Sequence, residues 1–188
     1  MSRITMVTVD GAAGTWKRLL LEAVDTASGP ADGCIRQRVM EVLDGSTCRA
    51  YLGSDALTAV AAELAAGGAN AAISTLDVVQ YVPGASTGRR ASFHYVVETD
   101  VLAEAEADFN AWYATEHLPG LAAVPGTVEA FRMKNASGVP RYFACYDLVS
   151  ADALGSPAWL AVRATRWSSR VRPAFRNTVR TMFRLIEA

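Results

Sequence analysis

At 188 residues, half of them hydrophobic, and with 18 basic against 19 acidic side chains for a net charge of −1, the chain can build a real core in one or two small domains. That balance argues against a general electrostatic pull toward nucleic acid or an anionic membrane and leaves a small organic ligand or a protein partner as the default. The opening MSRITMVTVDGAAG has no basic segment leading into a long apolar one, and no later run reaches the ~18 apolar residues of a membrane span, so a cytoplasmic protein is expected.

Taken in order, ITMVTVD alternates as a strand, TWKRLLLEAVDTAS has helical spacing, and CIRQRVMEVL and TCRAYLG return to strand character. SDALTAVAAELAAGG predicts an alanine-rich helix with Ser54 as N-cap and Gly67 and Gly68 as its stop. AAISTLDVVQYVPG predicts a strand. PGASTGRRA, rich in Gly, Pro and Ser, reads as a linker, which sets a first half at residues 1–84, a linker at 85–91 and a second half at 92–188.

The second half repeats the order. SFHYVVETD is strand-like, and VLAEAEADFNAWYATEHL predicts a helix with Asp100 as N-cap, ended by Pro119 and Gly120. VEAFRMKN and RYFACYDLV predict a hairpin around Asn135 to Pro140, and SPAWLAVRATRWSSR a second helix. The C-terminal segment is contested: Phe175, Val179, Met182 and Ile186 follow helical spacing, yet a β-α-β-β-α-β unit needs its fourth strand, so residues 179–187 are assigned as one. Two such units about ninety residues apart predict an α+β fold of tandem ferredoxin-like repeats packed sheet to sheet as a pseudo-dimeric barrel with a ligand interior.

Cys34, Cys48 and Cys145 are odd in number and far apart, with no CxxC or Cys/His cluster. They are expected to be small buried hydrophobes, Cys145 with a minor chance of facing a pocket, rather than a disulfide framework or a zinc site. No Gly-rich phosphate loop, G-x-S-x-G, H-E-x-x-H or paired-Asp cluster is present, so no metal and no nucleotide cofactor is expected.

F-x-x-W-Y-x-x-E-H-L-P, carried by Phe109, Trp112, Tyr113, Glu116, His117, Leu118 and Pro119, resembles the first helix of the EthD-like dimeric α+β barrel proteins. VPGTVEAFR, RYFACYDLVS and the late W-x-x-R-V-R-P-x-F-R resemble the same family, over residues 92–188. The resemblance implies the fold and, more loosely, the chemistry of relatives that include cofactor-free monooxygenases, cyclases, decarboxylases and dehydratases.

His117 is the first candidate for chemistry. In the last turn of a helix it should feel the negative end of the dipole, which would favour its protonated form and keep it titrating near neutrality as acid or base; satisfying free carbonyls is the plainer alternative. Tyr113, one turn earlier, could polarise a substrate carbonyl or simply pack with its hydroxyl tied off. Trp112 reads as packing or pocket wall, and Glu116 as a carboxylate at the unfavourable dipole end, in need of a partner such as arginine. His94 alternates with Phe93 and Tyr95, so a bulky face against the helices would turn His94 the other way, into the interior. Arg132 could neutralise an anionic substrate or pair with Asp147, and Tyr146 of RYFACYDL is a further substrate-binding candidate.

Arg163, Arg166, Arg170, Arg172, Arg176, Arg180 and Arg184 form a basic run with no acid between Asp152 and Glu187, and acids on the helix near residues 100–117 are the expected partners. The leading expectation is a cofactor-independent lyase-type enzyme on a hydrophobic aromatic or polyketide-like carbonyl compound, with His117, Tyr113 and His94 catalytic and one site per chain. A non-catalytic ligand-binding or assembly module is the rival, a cofactor-free monooxygenase a second alternative, and RNA binding a weaker one. A homodimer is left open.

Overall fold

The computed structural model describes residues 3–11, 14–26, 35–44 and 46–186. The protein is a mixed α+β fold that divides into two compact units, residues 1–78 with 183–188 and residues 79–182. The division falls before the linker expected at 85–91, and the C-terminal end returns to the first unit.

In the first unit β1 (Arg3–Asp10), α1 (Thr15–Thr26), β2 (Arg38–Val42), β3 (Thr47–Leu52), α2 (Ser54–Ala66) and β4 (Ala71–Pro83, to Val78 in this unit) follow one another. The strands pair antiparallel in the order β4–β1–β3–β2, and the end of β8 (Phe175–Ile186) adds to β2 with Val42 opposite Phe183. Alternation puts Val7 and Val9 of β1 and Ala50 and Leu52 of β3 against Leu20 of α1 and Leu64 of α2, an aliphatic core of fully buried side chains. Gly53, not Ser54, holds the cap position of α2, and its N–H donates to Gln37 Oε1 at 2.9 Å. At the other end a Cβ on Gly67 would lie 2.0 Å from the Trp16 ring, and Gly68 takes φ +69°.

The second unit holds β5 (Phe93–Val101), α3 (Glu106–Trp112), α4 (Leu118–Ala122), β6 (Thr127–Asn135), β7 (Tyr142–Leu148), α5 (Pro157–Arg163), α6 (Arg166–Val171) and β8 as far as Met182. Its strand order is β8–β5–β7–β6. This is the same arrangement of fourth, first, third and second strands as in the first unit, and the order of a ferredoxin-like sheet. The β6–β7 hairpin turns at Asn135, whose Oδ1 accepts from the N–H groups of Ser137 and Gly138. The C-terminal segment is a strand, four residues longer at its start than expected; residue 187 lies outside the described residues.

Three local expectations are corrected. Asp100 is part of β5 rather than a helix cap, and its carboxylate accepts from the Arg141 backbone N–H (2.8 Å) and from Asn177 Nδ2 (3.0 Å). Asn177 itself sits at φ 51°, a left-handed conformation that asparagine tolerates well. The second helix is two pieces, because Thr165 caps a fresh start by accepting from the Ser168 N–H, as Ser156 does for Trp159 at the start of α5. Nor does the first helix stop at Pro119 and Gly120. It passes through a π turn at Tyr113–His117 and continues as α4.

Cys48 and Cys145 are buried free thiols, and Cys34 lies outside the described residues. No helix among the described residues is long and apolar enough to cross a membrane.

Candidate functional site

The π turn explains how the second unit builds its site. Residues five apart on an α-helix point about 140° away from each other. At the π turn the Leu118 N–H reaches back five residues to the Tyr113 carbonyl. Pro119, which has no N–H to give, then costs nothing in the turn that follows. The extra residue brings His117 beneath Trp112, with ring centroids 4.0 Å apart and planes 19° from parallel, and leaves Tyr113 edge-on to the imidazole at 5.2 Å. Gly120 then lets α4 approach α5, since a Cβ there would meet Val162 at 2.9 Å.

These rings border a cavity of about 30 Å³ inside the second unit, between the helices and the sheet face that carries Tyr95, Val97 and Tyr146. That is room for about two waters. Trp159 closes it from α5, edge-on to Tyr146 at 5.2 Å. Phe175 and three arginines, Arg163, Arg172 and Arg180, complete the wall. Among the described residues no acid lines it.

Three of the residues lining the cavity each carry a fully buried polar atom without a hydrogen-bond partner among the described residues: His117 Nδ1, the Tyr146 hydroxyl and Trp159 Nε1. These residues are 7%, 1% and 1% exposed. A buried polar group left unpaired costs roughly 1–3 kcal/mol, so three among the residues lining one small cavity is a concentrated expense that packing alone does not explain.

Electrostatics follow from this enclosure. Burial, helped by the positive charges of Arg163, Arg172 and Arg132, pushes the His117 pKa down to about 3, so the ring is neutral at neutral pH. The expectation of a dipole-stabilised imidazolium is thereby overturned: the helix does not end at His117, and desolvation by far exceeds a dipole term of roughly 0.3–1 kcal/mol. Burial also raises the Tyr113 hydroxyl to about 12 and the Tyr146 hydroxyl well above its ordinary value, keeping both protonated as donors.

Other candidates lie elsewhere. His94 is on the opposite face of β5 from Tyr95 and fully buried; its Nδ1 meets Asp147 Oδ1 at 2.5 Å and its ring stacks on Phe131 at 5.8 Å. The two histidines therefore do not share a pocket. Arg132 does not pair with Asp147 but donates to Asn110 Oδ1 at 2.9 Å, its guanidinium lying over the rings of Tyr113 (4.3 Å) and Phe109 (5.2 Å). Among the described residues no arginine hydrogen-bonds to Glu116 or pairs with it, although its charge acts on Arg170. The Glu116 carboxylate accepts from Trp112 Nε1 (3.2 Å) and Thr165 Oγ1 (2.6 Å), which fixes the indole that His117 stacks on and ties the π turn to the cap of α6. Neither Arg132, Glu116 nor Cys145 lines the cavity, whereas Trp112, Tyr113, His117 and Tyr146 do.

The basic run divides. Arg170 makes a two-pronged ion pair with Asp108 (2.8 and 3.0 Å), and Arg176 donates to the carbonyls of Pro173 and Phe175. Sequence reasoning missed Trp159 and Phe175, and it assigned Arg163, Arg172 and Arg180 to acidic partners. The usable signal was the lack of acids between Asp152 and Glu187; nothing in the local sequence marks Trp159. Among the described residues no group of three or more His, Cys, Asp or Glu side chains could hold a metal ion.

No protein-family model matches the sequence, and no curated protein matches it. Similarity appears at the level of structure. A candidate monooxygenase from Fusobacterium nucleatum superposes with TM-score 0.66 at 11% identity, over 98% of this chain and 92% of that one. An anthrone oxidase-like protein gives 0.64 at 14% identity, over 98% and 91%. A ferredoxin-fold protein from Listeria monocytogenes related to antibiotic biosynthesis monooxygenases gives 0.62 at 10% identity, over 100% and 97%. At such identities the likeness is one of fold: a ferredoxin-like α+β protein.

Proposed function

We propose that the chain is a small-molecule enzyme whose active site is the cavity of the second unit, with the two units as tandem ferredoxin-like repeats of EthD-like type. The observation that carries this is that three residues lining one cavity, His117, Tyr146 and Trp159, each carry a buried polar atom with no hydrogen-bond partner among the described residues. In this mechanism neutral His117 is the base. It takes a proton from a carbon next to a carbonyl, the C–H electron pair moves onto the carbonyl oxygen, and Tyr146 and Trp159 donate hydrogen bonds to the resulting enolate. A pKa near 3 makes His117 a weak base in the resting site, and the enolate forming beside it offsets the burial cost of the imidazolium and strengthens the base as the proton moves.

The enolate then expels a leaving group, the lyase outcome, with His117 returning its proton to that group. No cofactor is called on. The alternative product arises if the electron-rich carbanion reacts with molecular oxygen, and similarity in fold to proteins described as monooxygenases supports keeping that branch. The cavity's small size favours the carbonyl end of a substrate entering while the remainder lies toward Phe175. A whole polycyclic ring does not fit about 30 Å³. That same size is what supports the rival, a binding module without chemistry.

Phenylacetone, a small aromatic ketone, tests the mechanism. In D2O the protein should accelerate deuterium incorporation at the benzylic carbon, followed by NMR, and His117→Ala should lower that rate by roughly 10²–10⁴-fold with the fold retained. Equal exchange by wild type and His117→Ala removes His117 as the base.

A further inference from the structure

Arg163 ends α5, Arg172 lies just beyond α6, and Arg180 is on β8, so three separate elements each bring an arginine to one cavity wall. None of the three side chains hydrogen-bonds or pairs with an acid among the described residues. Nearby cations are handled otherwise: Arg170 is held by Asp108, and Arg141 and Lys134 by Glu106. Glu116, next to His117 in the chain, is already committed to Trp112 and Thr165. Arg163 is half-buried while Arg172 and Arg180 are exposed, whereas the unpaired polar atoms of His117, Tyr146 and Trp159 are buried. Three arginines lining one cavity, with no acid among the described lining residues, favour an anionic group there.

We infer that the ligand of this cavity is a carboxylate-bearing carbonyl compound, its carbonyl oxygen at the Tyr146 hydroxyl and Trp159 Nε1 and its carboxylate held by Arg163, Arg172 and Arg180. This rests on the placement of the active site given above and names its substrate class. A carboxylate is the group that a guanidinium fork pairs with in two parallel hydrogen bonds. The arrangement also has an electrostatic consequence for the base. Arg163 and Arg172 are among the charges that disfavour protonated His117, and a bound carboxylate offsets them at the moment the proton moves.

Phenylpyruvate and phenylacetone share an aromatic ring and a ketone and differ by a carboxylate in place of a methyl group. Quenching of tryptophan fluorescence reads their binding independently of any turnover, because Trp112 and Trp159 line the cavity. Phenylpyruvate should bind about tenfold or more tightly than phenylacetone. Arg163→Gln and Arg180→Gln should each abolish most of that preference, and raising NaCl from about 0.05 to about 0.5 M should weaken only the acid. Equal affinity for the two probes, binding of neither, or a preference that survives both arginine variants and high salt overturns the inference. So does matching competition by inorganic sulfate, which would mark an adventitious anion site. If His117→Ala exchanges phenylacetone as fast as wild type while phenylpyruvate still binds through the arginines, the mechanism falls and the ligand class stands; the reverse pattern removes only the ligand class.

Discussion

The two units share a strand order and an element order, but they fill the space under their helices differently. The first packs valine, leucine and alanine from β1, β3, α1 and α2 into an aliphatic core. The second packs Phe109, Trp112, Tyr113, Tyr146 and Trp159 into the same layer and leaves three polar atoms among them without partners. Aliphatic side chains interdigitate from many directions and close their gaps. Flat rings with polar edges leave a gap where the edges meet, and that gap is the cavity. The common framework is therefore a matter of topology, and the cavity is a matter of what one unit carries inside.

The largest effect that tests this contrast comes from truncating each core. Phe109→Ala should cost about 3–5 kcal/mol and Leu20→Ala about 2–5 kcal/mol, measured by urea unfolding. Phe109 should be the costlier because it also packs on Tyr113, Tyr142 and Phe175 and offers its face to the buried Arg132. A smaller loss for Phe109→Ala than for Leu20→Ala would mean that the aromatic layer is the looser of the two.

An effect of intermediate size separates the units by pH. His117 has a folded pKa pushed down to about 3 by burial, against an ordinary value near 6.5. The unfolded chain therefore binds the proton first as pH falls, and the fold loses stability between about pH 6.5 and about pH 3, with no further loss from this residue below that. By about pH 4.5 the loss is on the order of 2–3 kcal/mol. His117→Phe should remove it. Carboxylates elsewhere titrate equally in both proteins, so the difference between their stability–pH curves is the readout, and superimposable curves would show that His117 is protonated inside the fold.

Much of this framework could be read from the sequence. Alternation and helical spacing locate the strands and helices, and the need for a fourth strand outweighs the helical spacing of Phe175 to Ile186, because strand pairing in β8 overrides local periodicity. Alternation in SFHYVVETD also puts Tyr95 on the helix side and His94 on the other. What could not be read is whatever depends on partners distant in the chain. Asp100 looks like a cap until the β6–β7 hairpin brings Arg141 to it, and Pro119 looks like a stop until the π turn absorbs its missing N–H. Trp159, separated from Tyr146 by a loop and a turn, has no local signature at all, and the arginine run shows its division only when Asp108 is seen to take Arg170 alone.

The smallest effect is the most discriminating, because its sign is unusual. Thr99 in β5 has its hydroxyl within hydrogen-bond reach of the carbonyls of Asp100 (2.9 Å) and Arg176 (3.1 Å), which share its one proton, and of Thr178 Oγ1 at 2.7 Å, so Thr99→Val should cost roughly 1–2 kcal/mol, as loss of a satisfied buried hydroxyl does. The Tyr146 hydroxyl is equally buried and has no partner, and Tyr146→Phe deletes only that atom. With nothing to lose but an unmet desolvation cost, the variant should be unchanged or up to about 1 kcal/mol more stable, while phenylacetone exchange falls. Trp159→Phe is a poorer test, since it also shrinks the ring. A destabilisation of Tyr146→Phe as large as that of Thr99→Val would mean the hydroxyl already has its partner in the resting protein, and the cavity would lose its claim to be waiting for a ligand.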